Sequence, residues 1–132
     1  MTRIIVYLIV ALSVCLPAQA KNRLAQNGAI VLFEAKSDVE FRVLGRAGFG
    51  PSDYFCAAGE FARFTLNARP ADRVVLTKPP TRDDRTVGFE LRRNAARADV
   101  FNRDVFLTLR KAGQSRSVGH ADGLCQIKKF QF

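Results

Sequence analysis

Past Ala20 the chain keeps only two cysteines, Cys56 and Cys125, 69 residues apart. Two thiols in an oxidising compartment have one possible pairing. A bridge across a loop of that length adds roughly 4 kcal/mol in the chain-entropy model, where a whole domain holds about 5–15 kcal/mol. Any fold must therefore bring the middle of the chain to its tail. The compartment is read from the first twenty residues. Arg3 gives a positive start, Ile4 to Leu16 is apolar apart from Tyr7, Ser13 and Cys15, and Pro17 breaks the run before Ala18-Gln19-Ala20. A short apolar segment followed by small-x-small is the pattern of a cleaved secretory signal. It falls short of the roughly 20 residues that a membrane-spanning helix needs. Val14 stands before Cys15, where a lipoprotein signal carries a small residue. The expectation is a signal peptide over 1–20 and a periplasmic or secreted product.

The remainder is long enough for one domain and no more. Residues 21–28 are polar and read as a flexible lead-in, with a single disulfide-braced domain over 29–132. Ala29 to Glu34 is a short β-branched and aromatic run, and Val39 to Val43 alternates apolar and charged, so the two predict a hairpin across Lys36-Ser37-Asp38. Gly45, Gly48, Gly50 and Pro51 mark a loop. Ser52 and Asp53 then predict a helix start. Tyr54, Ala58, Phe61 and Thr65, joined by Phe55, Ala62 and Leu66, give a broad apolar face to about Leu66. Gly59 in the helix middle points to a close contact, and Asn67 with Pro70 predicts the stop. Strands are expected at Asp72–Lys78, Val87–Leu91 and Val105–Leu109. Asn94–Ala98 suits a short helix or connection, Ser117 a cap for a short helix through Cys125, and Ile127–Phe132 an edge strand. The fold class is α+β: an antiparallel sheet of about five strands, one main helix on a face, and a short C-terminal helix or turn.

Gly50-Pro51-Ser52-Asp53-Tyr54-Phe55-Cys56-Ala57-Ala58-Gly59 resembles a segment of small exported bacterial proteins of unassigned function. In those an aromatic-Cys-Ala-Ala-Gly helix start is matched by a second Cys near the C-terminus, here Cys125. The resemblance implies export and the bridge, and it transfers no activity. Tyr54 to Gly59 is also similar to the Tyr-x-Cys-x-x-Gly of periplasmic inhibitors of C-type lysozyme. The second motif of that family, rich in Ser, Gly and Tyr, has no counterpart here, since Tyr7 and Tyr54 are the only tyrosines.

Catalytic chemistry has few carriers. His120 is the only histidine, and with Asp122, Ser115 and Ser117 it writes a Ser-His-Asp set on paper; triads, however, are defined by geometry, and close sequence neighbours seldom converge. The rival reading is thus a small hydrolase using His120. His120, Asp122 and Cys125 have nearly a metal ligand's spacing, but the bridge consumes Cys125, so no metal or cofactor is expected. Asp83 and Asp84 beside Arg82 and Arg85 read as a charged turn.

Charge is the remaining feature. The full chain carries +9, and removing the leader takes away Arg3 and no acid, leaving +8. Arg92, Arg93, Arg97, Arg103, Lys128 and Lys129 are the candidate anion-binding residues, with Lys111 and Arg116 nearby in sequence. Gathered on one face they would attract anions over about a Debye length, roughly 8 Å in physiological salt. Export disfavours nucleic acid as the partner. The expectation is an exported, non-enzymatic binding protein whose partner is an acidic protein, anionic lipid or envelope polymer. An alternative is an inhibitor of a secreted enzyme that inserts the Gly45–Pro51 loop into a cleft.

Overall fold

The structure is a computed structural model that describes residues 21–33, 37–94 and 106–127. Six strands form one antiparallel sheet: β1 (Lys21–Leu24), β2 (Ile30–Phe33), β3 (Glu40–Leu44), β4 (Arg73–Lys78), β5 (Thr86–Arg92) and β6 (Ser115–Ser117). Their spatial order is β1-β2-β3-β5-β4-β6. Helix α1 (Pro51–Phe64) follows β3, and α2 (Val118–Ile127) follows β6. The architecture is α+β, with a main helix and a short C-terminal one, as the sequence pattern predicts.

Period-two alternation decides which face of the sheet is buried. Val31, Phe41, Val43, Val74, Leu76, Val87, Phe89 and Leu91 point to the helices and are buried. Register brings Phe33 opposite Phe41, and Phe41 opposite Phe89. Phe61 of α1 sits on this row, its ring centroid 5.7 Å from Phe33 and 4.8 Å from Phe41. Phe55 meets Phe89 edge-on at 5.1 Å. Offset and edge-to-face rings add to the burial term itself.

Helix α1 is buried on two sides. The face read from the sequence lies on the sheet, and Cys56, Gly59 and Arg63 turn to α2. There the Cys56–Cys125 disulfide holds the two Cα atoms 4.9 Å apart. Arg63 Nη1 pairs with an Asp122 carboxylate oxygen at 2.5 Å. A Cβ on Gly59 would stand 2.7 Å from Ala121 C and nearer still to Asp122 N, so the glycine lets the two helices touch backbone to backbone. Asp72, buried under these elements, joins three segments: its carboxylate accepts from Arg69 N at 2.8 Å and Asn94 N at 3.1 Å, and its carbonyl from Val118 N at 2.7 Å. Asn67 is left-handed at φ 55°, ending the helical path where the sequence sets the stop.

Four expectations are corrected. Lys21–Leu24 is no flexible lead-in but edge strand β1, paired to β2 with Arg23 opposite Val31 and Leu24 opposite Ile30; the tight Ala25–Ala29 turn, closed by Ala25 N donating to Ala29 O at 2.8 Å, returns the chain antiparallel. It is the sixth strand. The helix begins one residue before the expected cap: Gly50 is the cap and Pro51 takes the first position, where a missing N–H costs nothing. The Asp53 carboxylate accepts from Gly50 N at 2.8 Å. Residues 106–109 of the expected Val105–Leu109 strand are not in the sheet. The buried Gln114 amide occupies their backbone, donating to Phe106 O at 3.1 Å and accepting from Thr108 N at 2.9 Å, while β6 fills the place beside β4. The polar residues taken for a turn and cap thus supply strand β6, and only Ser117 keeps its cap, accepting from His120 N at 3.2 Å. The leader over 1–20, the Asn94–Ala98 helix beyond Asn94, and the Ile127–Phe132 strand beyond Ile127 lie outside the described residues. Among the described residues no helix is long and apolar enough to cross a membrane.

Candidate functional site

Where α1 ends, its last two turns stand off from β1 and β2 and leave a groove on the helix side of the sheet. Its larger part, about 480 Å³, is lined by the buried Phe61, the half-buried Phe33, Thr65 and Leu66, and the exposed Arg23, Arg93 and Asp38. A smaller cleft of about 110 Å³ continues along β1, sharing Arg23, Phe61 and Thr65 and bordered by Leu24, Glu60 and Phe64. Strand alternation places Arg23, opposite the core residue Val31, on the helix side. Its guanidinium makes no hydrogen bond or ion pair among the described residues. Arg93 reaches from the end of β5 to donate to Leu66 O at 2.6 Å, which uses one of five guanidinium donors. Glu60 is occupied by the backbone, accepting from Gln26 N at 3.0 Å. Two guanidinium groups against one carboxylate, beside phenylalanine rings, suit an anion attached to an apolar body.

Among the described residues no helix packs on the opposite face of the sheet. At its centre a depression of about 500 Å³ lies over Gly88, among Arg42, Lys78 and Glu40. A Cβ on Gly88 would meet Lys78 Cβ at 2.8 Å, because the β4 bulge between Leu76 and Lys78 crowds the strand there. Two cations of this face, Lys78 and Arg92, are matched by acids. Lys78 Nζ is 2.5 Å from Asp84, and Arg92 Nε is 3.7 Å from Glu90. Glu40 stands directly opposite Glu90. Asp84 also accepts from Thr86 N at 2.9 Å and Thr86 Oγ1 at 2.6 Å, and the Lys78 hydrogen bond followed by those from Thr86 holds its carboxyl far below the usual carboxylate range.

The candidate anion-binding residues do not all gather. Arg92 lies on the open face with Glu90, and Arg93 on the helix side at Leu66, since successive strand residues point to opposite faces. Arg97, Arg103, Lys128 and Lys129 lie outside the described residues. Arg116 Nη1 donates to Ser115 O at 2.7 Å, and Lys111 is exposed. The paper triad is spread over separate duties. Ser115 is buried and accepts from Arg73 Nε and Nη2 at 3.1 and 2.9 Å, Ser117 caps α2, and Asp122 pairs with Arg63. Cys56, Glu60 and Cys125 have ligand atoms within 4.8 Å of one another, but both sulfurs are joined in the disulfide.

Arg23, Leu24 and Phe64 were not legible as site residues in the sequence. The first two lie in the polar lead-in, and Phe64 falls off the apolar face of α1. Comparisons of the chain with protein-family models, with curated proteins and with solved structures give no match.

Proposed function

We propose that this chain is an exported, disulfide-braced protein that acts by binding an acidic macromolecule or envelope surface rather than by catalysis. The observation that carries this is the groove, whose lining sets Arg23 and Arg93 against one carboxylate, Asp38, around Phe33, Phe61 and Leu66. The excess of positive charge over the whole chain supports it, because a net field concentrates polyanions before any contact is made. The structural duties of Ser115, Ser117 and Asp122 leave the lone His120 without a nucleophile or carboxylate partner among the described residues, which favours binding over hydrolysis.

The test is binding of the leaderless, oxidised protein to immobilised anionic envelope polymers across a salt series. Affinity should fall steadily as salt rises. Replacing Arg23 and Arg93 together by Ala should weaken it about tenfold at low salt. Affinity indifferent to ionic strength, or no binding at low salt, would overturn the reading.

One observation favours a second reading, inhibition of a secreted enzyme. Arg46, Ala47 and Gly48 are exposed at the tip of the loop before α1, and Phe49 braces that loop edge-on against Tyr54 at 5.9 Å. This reading predicts a stoichiometric enzyme complex that is lost when Arg46–Gly48 is replaced by a serine-glycine segment, with the salt-dependent binding above unchanged.

A further inference from the structure

The rim of the smaller cleft carries apolar side chains that water should not favour. Leu24 is 75% exposed and Phe64 64%, and both border this one cleft. Across the edge of the sheet Leu24 is the direct partner of Ile30, which is 38% exposed, and Ile30 is the partner of Leu44. An apolar band thus runs from the last turn of α1, around edge strand β1, onto the open face of the sheet. Monomeric proteins seldom leave such a band uncovered unless something docks on it.

Cations accompany the band. Arg23 lines the same cleft as Leu24 and has no partner among the described residues. The Arg63 guanidinium lies 5.1 Å from the centroid of the Phe64 ring, while pairing with Asp122 on its other side. Glu60 is the one carboxylate among the described residues lining the cleft, and its oxygens are held by Gln26 N. Exposed leucine, isoleucine and phenylalanine rimmed by arginine are what an interfacial site presents to an anionic bilayer: the apolar groups enter the boundary of the acyl region and the guanidinium groups stay at the phosphate level. A second copy is a poor occupant, since two leaderless chains of +8 would meet along edges that both carry Arg23.

We infer that this band, Leu24, Ile30 and Phe64 with Arg23 and Arg63, is a docking surface for an anionic lipid bilayer. The inference rests on the proposed binding of an acidic envelope surface and names which surface and which face. The chain has no tryptophan, so Phe64→Trp in the leaderless, oxidised protein supplies a fluorophore without background. The probes are phosphatidylcholine vesicles with and without phosphatidylglycerol. The expected result is a blue shift of the introduced tryptophan's emission with the anionic vesicles alone, none with soluble glycerol phosphate, and none from Phe106→Trp, a control on the other strongly exposed phenylalanine among the described residues. In vesicle cosedimentation Leu24→Ser should weaken binding about tenfold, as loss of one buried leucine implies. Arg23→Glu should weaken it by about tenfold more than the charge-matched Arg85→Glu on the exposed β4–β5 turn. These positions are exposed, and unchanged urea midpoints would confirm intact folds.

Equal loss with Arg23→Glu and Arg85→Glu, or an unshifted emission from the Phe64→Trp variant on vesicles that do bind, would overturn the assigned face. Salt-dependent binding to acidic polymers with no binding to anionic vesicles would overturn the inference and leave the proposed function standing. Failure on polymers and vesicles alike would overturn both. A glycerol phosphate response equal to that of vesicles would assign the site to free phosphate and likewise overturn it.

Discussion

Asp84 ties the β4–β5 turn with three hydrogen bonds, from Lys78 Nζ and from the Thr86 amide and hydroxyl. Because these favour the carboxylate, its folded affinity for protons is lower than its unfolded one. The sign follows: the contribution is complete above the ordinary Asp value of about 3.9 and is lost as pH falls below it toward the folded value. Amide shifts of Thr81 and Thr86 should hold constant from neutrality down to about pH 4 and move only in stronger acid. Asp84→Asn should abolish that acid-side movement. A buried residue gives a larger effect. Phe89 is 1% exposed and touches both Phe41 and Phe55, so Phe89→Ala should destabilise by about 3–5 kcal/mol, read from the urea midpoint at constant slope. Asp72→Ala leaves Arg69 N and Asn94 N without their acceptor, and a loss of about 1–3 kcal/mol is expected.

Between α1 and α2 the ordinary helix rule reverses. An exposed mid-helix Gly gains about 1 kcal/mol on replacement by Ala. Gly59→Ala should instead destabilise by about 1–3 kcal/mol, because its new methyl would press on the α2 backbone well inside van der Waals contact. Thermal unfolding of the single variant checks the sign. The sequence made this element legible, since an apolar stripe, a mid-helix glycine and Asn67 all follow local rules. Strands β2 to β5 were legible for the same reason, each being an alternating or β-branched run between turn residues. What escaped was long-range. Lys21–Leu24 has no apolar pattern of its own and becomes a strand only because β2 offers a free edge. Ser115–Ser117 reads as turn chemistry, yet it pairs with β4 because the buried Gln114 side chain removes the better-looking strand from competition. Of the candidate site, Arg93 was legible as a cation and the groove around it was not, since its walls come from β1, β2, β5 and α1 together.

In the whole molecule the disulfide decides which contacts survive stress. Reduction, or the double variant Cys56→Ser with Cys125→Ser, should cost roughly 4 kcal/mol in the chain-entropy limit, measured as a fall in urea midpoint. The bridge closes residues 56 to 125 into a covalent ring that contains β4, β5 and β6 and leaves β1, β2 and β3 outside it. Since the spatial order is β1-β2-β3-β5-β4-β6, the ring occupies one contiguous half of the sheet. The molecule therefore has a cyclic half and a linear half joined along the β3–β5 seam. The linear half, which includes the β1 rim, can peel without opening the ring, and its amides should exchange with deuterium ahead of those of β4 and β5 for as long as the sulfurs stay joined.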